Sequence, residues 1–204
     1  RLRAEGELRA ERLIRSGFTL ENLQVDLESS PTAVSAPLIQ FGLMGGTVNL
    51  GLALERGEEG ATLVGVYHLG RAGAGPFFPR STPFQGHLDG SMVLQGDASL
   101  QLDEQMLPVR PSVRSSGSIA FTSGSLSGWP LLSRVGERLG LQQLDTLVFR
   151  EWAGDYLIAG TLVSLDRAVQ LSDGVQTELA GSFDFAGQLD LGVVARLSPS
   201  LAAR

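Results

Sequence analysis

The side chains able to do chemistry in this sequence are few, and their spacing suits no familiar catalytic set. The two histidines, His68 and His87, have no cysteine near them, because the chain has none, and no H-x-x-x-H spacing. A zinc site needs three or four such donors converging, so both read as ordinary strand residues. Gly124-Ser125-Leu126-Ser127-Gly128 has the outline of a nucleophile elbow. Leu126, however, fills the middle position that the serine must occupy, and the strand-turn-helix context is missing, so the segment reads as a turn. Gly70, Gly73 and Gly75 do not complete a dinucleotide fingerprint. The absence of lysine removes a P-loop lysine, a Schiff base and a lysine general base together. Asp97, Asp103, Glu104, Asp166, Asp173 and Asp190 could pair as carboxylates, but all fall at expected turns or wet faces, where solvated charge explains them. No catalytic residue, metal ligand or cofactor is therefore assigned.

Composition points the same way. A chain of 204 residues, 43% hydrophobic and with 34 leucines, can bury a sizeable core as one domain or two closely coupled ones. Twenty-six glycines beside only 6% aromatic and 19% charged residues suit short strands joined by tight turns better than long helices. The net charge of -6 and scattered arginines disfavour nucleic acid, whose phosphates need clustered cations. No apolar run approaches the roughly 20 residues of a membrane-spanning helix. The first residue is Arg1 and not methionine, so the expectation is a piece of a longer protein.

The elements that would position any site alternate with a period of two. Leu2, Ala4, Gly6, Leu8 and Ala10 share one face, and Arg1, Arg3, Glu5, Glu7, Arg9 and Glu11 the other, as in a half-buried strand. Further strands are expected around Leu23 to Leu27, Val34, Val48 to Leu54, Thr62 to Leu69, Leu88 to Leu94, Ala98 to Leu102 and Ser118 to Phe121. Others follow at Thr146 to Trp152, Tyr156 to Leu165, Val175 to Phe185 and Leu189 to Leu197. Gly57-Glu58-Glu59-Gly60 suits a hairpin loop of about four residues. A phrase of glycine, hydroxyl residue, then apolar-x-apolar recurs at Gly46, Gly90, Gly117 and Gly181, and reads as a strand entry. Gly70 to Pro83 is the best joint, dividing an N-terminal β subregion, 1–80, from a C-terminal one, 84–204, within one continuous domain. One short helix is expected near 129–140, opened by Trp129-Pro130.

Eight or more amphipathic strands with one short helix leave apolar faces that something must cover. The expected fold is mainly β, an antiparallel amphipathic curved sheet forming a groove or a partly closed sandwich, with one or two short helices. In the open form a lipid acyl chain is a natural guest, at about 0.8 kcal/mol per buried methylene.

Several phrases follow one another in a set order along the chain. Leu8-Arg9-Ala10-Glu11-Arg12-Leu13 leads to Gly17-Phe18-Thr19-Leu20-Glu21-Asn22-Leu23, then Met44-Gly45-Gly46-Thr47-Val48, then Gly117-Ser118-Ile119-Ala120-Phe121 and Gly124 to Gly128. Asp145 to Phe149, Tyr156-Leu157-Ile158 and Leu179 to Phe185 complete the order. It resembles the C-terminal segment of the AsmA family of bacterial envelope proteins, to which Gly70 to Pro83 and Asp103 to Ser115 supply no match. The resemblance implies a Gram-negative periplasmic location, an inner-membrane anchor helix upstream of this segment, and a part in outer-membrane biogenesis. Larger relatives look like bridge-shaped proteins that carry phospholipid between the inner and outer membranes. On that expectation Leu50, Leu52, Leu54, Phe183, Phe185, Leu189 and Leu191 line a non-enzymatic lipid groove. The alternative is a structural or assembly module that binds an envelope protein partner through its sheet edges in outer-membrane protein assembly.

Overall fold

The computed structural model describes residues 4–15, 18–31, 33–57, 60–77, 86–130, 133–134, 137, 146–172, 175–184 and 188–197. The described residues form the strands β1 (Ala4–Arg15), β2 (Phe18–Ser29), β3 (Ala33–Leu43), β4 (Gly46–Gly57), β5 (Gly60–Gly73), β6 (Leu88–Leu102), β7 (Arg114–Ser127), β8 (Thr146–Ala159), β9 (Leu162–Ser172), β10 (Val175–Asp184) and β11 (Leu189–Leu197), with one helical turn, α1 (Ala74–Phe77). They build a single antiparallel sheet whose spatial order is the sequence order. Of the two forms left open by the sequence, the chain takes the open one, with β1 and β11 as its edges.

Local chemistry explains the strand boundaries. Between β3 and β4, Leu43 pairs with Gly46 around Met44 (φ 51) and Gly45 (φ 79), the double positive φ of a hairpin turn whose twist matches its strands. Between β8 and β9 the chain turns at Gly160 (φ 64), with Ala159 paired to Leu162. That turn divides the stretch Tyr156 to Leu165, which the alternation had joined. Pairing of Gly57 with Gly60 makes the β4–β5 connection two residues, Glu58 and Glu59, which lie outside the described residues. Pro37 lies inside β3, which runs well beyond the piece expected around Val34. The register there slips between Ala36 and Ile39 against β4 and between Ser35 and Leu38 against β2, so a bulge accommodates a residue with no N–H to give.

Several other expectations change in the same way. Leu88 to Leu102 is one strand of 15 residues and not two. Gly124 to Ser127 belongs to β7 and is not a turn. Of the four glycine phrases only Gly46 opens a strand; Gly90, Gly117 and Gly181 lie inside β6, β7 and β10. Most of the helix expected at 129–140 lies outside the described residues, though Trp129 itself is buried.

Bulges recur across the sheet, including one in β2 between Glu21 and Gln24. Beyond β3, the register shifts between Leu69 and Ala72 in β5, between Thr122 and Ser125 in β7 and between Leu165 and Ala168 in β9. Arg71 (φ 57) and Ser123 (φ 51) carry the left-handed backbone at two of them. Each extra residue bends its strand and increases the local twist, so curvature is built into the sheet at these positions. Pairing of β5 with β6 runs from Ala61 with Leu102 to Gly73 with Ser91, so both halves of the chain share one sheet across the expected joint.

Candidate functional site: the apolar face of the sheet

Residues paired across an antiparallel ladder point to the same face. Following the pairs from β1 to β5 gives Leu8, Val25, Ile39, Leu50 and Tyr67. The row continues through Gly96, Gly117, Tyr156, Leu165, Gly181 and Leu191 to β11. No charged residue interrupts it. The next row on this face, Ala36, Leu52, Gly65, Ala98, Ser115, Ile158, Val163 and Phe183, holds a single polar residue, Ser115. At about 4.8 Å per strand, the distance along the row from Leu50 on β4 to Leu191 on β11 is about 34 Å. Leu50, Leu52, Leu54, Phe183 and Leu191 therefore share one continuous face and do not converge on one point.

One end of this face is covered. Ala72, Ala74, Leu88, Met92, Phe121, Leu126, Trp129, Phe149 and Trp152 are all buried in a cluster, with Met92 fully enclosed. Trp152 packs against Phe121 at 5.4 Å and edge-on against Phe149 at 6.0 Å. The turn α1 packs on β5 and β6 at this end. Away from it, Leu50, Leu52, Leu54, Phe183 and Leu191 are half-buried. Leu50, Phe183 and Leu191 still touch the cluster. Leu8, Leu27, Val34 and Val193 are exposed. Phe185 lies outside the described residues. Leu189 is described for its backbone, paired with Phe183.

Two features of this face were not legible as site residues. Tyr67 and Tyr156, the only tyrosines, flank the paired glycines Gly96 and Gly117 and lie over their bare backbone. Ser115 donates to the Asp97 carbonyl at 2.8 Å, so it accepts from the Tyr67 hydroxyl at 2.7 Å, and Tyr67 in turn accepts from Tyr156. Burial, and after it the bond to Tyr67, push the Tyr156 phenol well above the usual tyrosine range. The second feature is Gln170, which pairs with Trp152 and Thr177 on the same face and is 3% exposed. Thr177 donates to its carbonyl oxygen, but its amide nitrogen has no partner.

The opposite face mixes polar and small residues with exposed apolar ones, among them Val66, Leu157 and Val194. Asn49, His68, Gln95, Ser118 and Asp155 form one row, and Gly51, Val66, Asp97, Ser116 and Leu157 the next. A hollow of about 830 Å³ is lined by most of these residues, by Pro37 and Leu38, and by Leu50, Tyr67, Gly96, Gly117 and Tyr156 of the apolar row. His68 is exposed beside it. His87 donates through Nδ1 to the Ser127 carbonyl at 2.9 Å. Asp97 accepts from Ser116 at 2.9 Å, and Asp103 accepts from the Gln105 and Leu107 amides at 2.9 Å, closing the turn after β6. Among the described residues no three His, Asp or Glu side chains stand together as a metal site, and no helix is long and apolar enough to cross a membrane. Near the β11 edge, Glu178 accepts from both Arg196 and Arg167, and the Arg196 guanidinium is the main cause holding its carboxyl below the usual range.

Comparison with known proteins found no matching family model, no similar curated protein and no similar solved structure.

Proposed function

We propose that this chain is a non-enzymatic lipid-handling segment that holds phospholipid acyl chains on the apolar face of its open sheet. The observation that carries the reading is the uncharged row from Leu8 to Leu191, which crosses all eleven strands of the sheet and, among the described residues, has no second sheet laid over it. Attraction comes from removing acyl methylenes from water, at about 0.8 kcal/mol each. A face continuous over about 34 Å between β4 and β11 suits passage along the sheet better than capture in one closed pocket. In this reading the chain works in the periplasm as an AsmA-like segment, anchored to the inner membrane from outside this sequence and serving outer-membrane biogenesis. The test is the transfer of labelled phospholipid between vesicles by the purified chain. Acceleration above the spontaneous rate supports the reading, and no acceleration together with no co-purified lipid removes it.

One observation favours an assembly module as the second reading. β11 is an edge strand in which Val193 and Val194 are both exposed, with no charge between Leu191 and Ala195 to discourage pairing with another strand. A partner protein captured through this edge, in a chain that binds no lipid, would replace the first reading.

A further inference from the structure

A buried donor left without an acceptor costs about 1 to 3 kcal/mol, so folded chains keep such groups rarely and for a reason. Gln170 is such a group. Its side chain is 3% exposed, its carbonyl oxygen accepts from Thr177, and its amide nitrogen has no partner. The residue stands on the apolar face, where its ladder partner toward the covered end is the buried Trp152. The fold itself does not require an amide here, because the neighbouring inward positions of the same strand are Val163, Leu165 and Ala168.

We propose that the Gln170 amide nitrogen is the polar anchor of the lipid face, donating to a carboxyl or ester oxygen at the head of a bound acyl chain. This rests on the lipid-handling reading given above. The chemistry fits the position. An acyl ligand is apolar along its length and carries its one strong acceptor at one end, so a single buried donor beside a long apolar row fixes which end lies there. Thr177 holds the amide in orientation by bonding its oxygen, which leaves the nitrogen as the donating arm. A free fatty acid and a glycerophospholipid both offer such an oxygen, and the experiment separates them.

Binding of palmitate, of phosphatidylcholine and of hexadecane is measured by displacement of an apolar fluorescent dye from the wild-type chain and from Gln170→Leu and Gln170→Met. Loss of one buried hydrogen bond weakens binding about fivefold to tenfold. The proposal expects that loss for palmitate, for phosphatidylcholine or for both, with hexadecane unchanged and the variants folded at least as stably as wild type. Loss for palmitate alone identifies the free acid, and loss for phosphatidylcholine identifies the ester. If wild type binds acyl ligands and both variants bind them equally well, Gln170 is only a core residue bonded to an internal water, and the lipid reading survives without it. If wild type binds none of the three, the lipid reading itself fails.

Discussion

The hydroxyls of Tyr67 and Tyr156 meet above the paired glycines Gly96 and Gly117, on the face that carries the apolar row. A Cβ at Gly96 would overlap the Ser116 carbonyl oxygen and stand 2.8 Å from the Tyr67 hydroxyl. A Cβ at Gly117 would overlap the Gln95 carbonyl oxygen and stand 2.8 Å from the Tyr156 hydroxyl. Neither position admits a Cβ, first because of the neighbouring carbonyl oxygen and then because of the tyrosine hydroxyl. Gly96→Ala and Gly117→Ala are each expected to lower stability by roughly 1 to 3 kcal/mol, read as a lower denaturant midpoint with an unchanged slope. A midpoint equal to wild type in both would show that the rings do not rest on these glycines.

The same pair gives the fold an alkaline limit. The folded state keeps the Tyr156 phenol protonated above the pH at which an unfolded tyrosine ionises, about 10. Its contribution is therefore complete below that pH and declines as pH rises beyond it toward the raised folded value. Thermal midpoints of wild type should fall more steeply above about pH 10 than those of Tyr156→Phe. Parallel curves for the two would contradict the assignment.

Glu178 shifts in the opposite direction. Its carboxyl, held mainly by Arg196 with Arg167 adding to it, should titrate below the ordinary glutamate range in an NMR pH titration. The stability it lends to the β10–β11 edge is present above the unfolded glutamate value and is lost as pH falls toward the folded one. Arg196→Gln should move the midpoint back up further than Arg167→Gln does. A larger effect from Arg167 would reverse the order of the two contacts.

Position along the apolar face should decide what a charge does there. Met92 is fully enclosed and Leu52 half-buried on the same face. Met92→Glu is expected to unfold the chain, because an ionised carboxylate there would have no water and no partner. Leu52→Glu should leave the far-ultraviolet dichroism and cooperative unfolding intact while reducing lipid uptake to background. At the covered end, Phe149→Ala should cost roughly 3 to 5 kcal/mol, since its ring is almost completely buried against Trp152. Unfolding of the Leu52 variant would place that residue in a sealed core.

The period-two alternation was enough to read an antiparallel β fold and to place Leu50, Leu52, Leu54, Phe183 and Leu191 on apolar faces, because each strand states its own faces. It could not show that these faces join into one. Continuity depends on register, and register here depends on bulges at Pro37, Arg71, Ser123 and the Asp166-Arg167 pair, each of which shifts a strand by one residue. The same bulges broke the alternation where strands were cut short, as at Pro37. Gln170 escaped notice because β9 was not separated from β8 at Gly160, so no strand register reached it. Tyr67 and Tyr156 were each legible as strand residues, but their meeting over Gly96 and Gly117 joins positions 89 residues apart.

Acyl lipid is expected on the face bearing Leu52 and Leu54 and not in the hollow lined by Asn49 and Val66. A photoreactive side chain placed singly at each of these four positions, irradiated with labelled phospholipid and analysed by mass, measures this directly. Lipid adducts are expected at positions 52 and 54 and none above background at 49 and 66. Adducts confined to 49 and 66, or equal at all four, would contradict it.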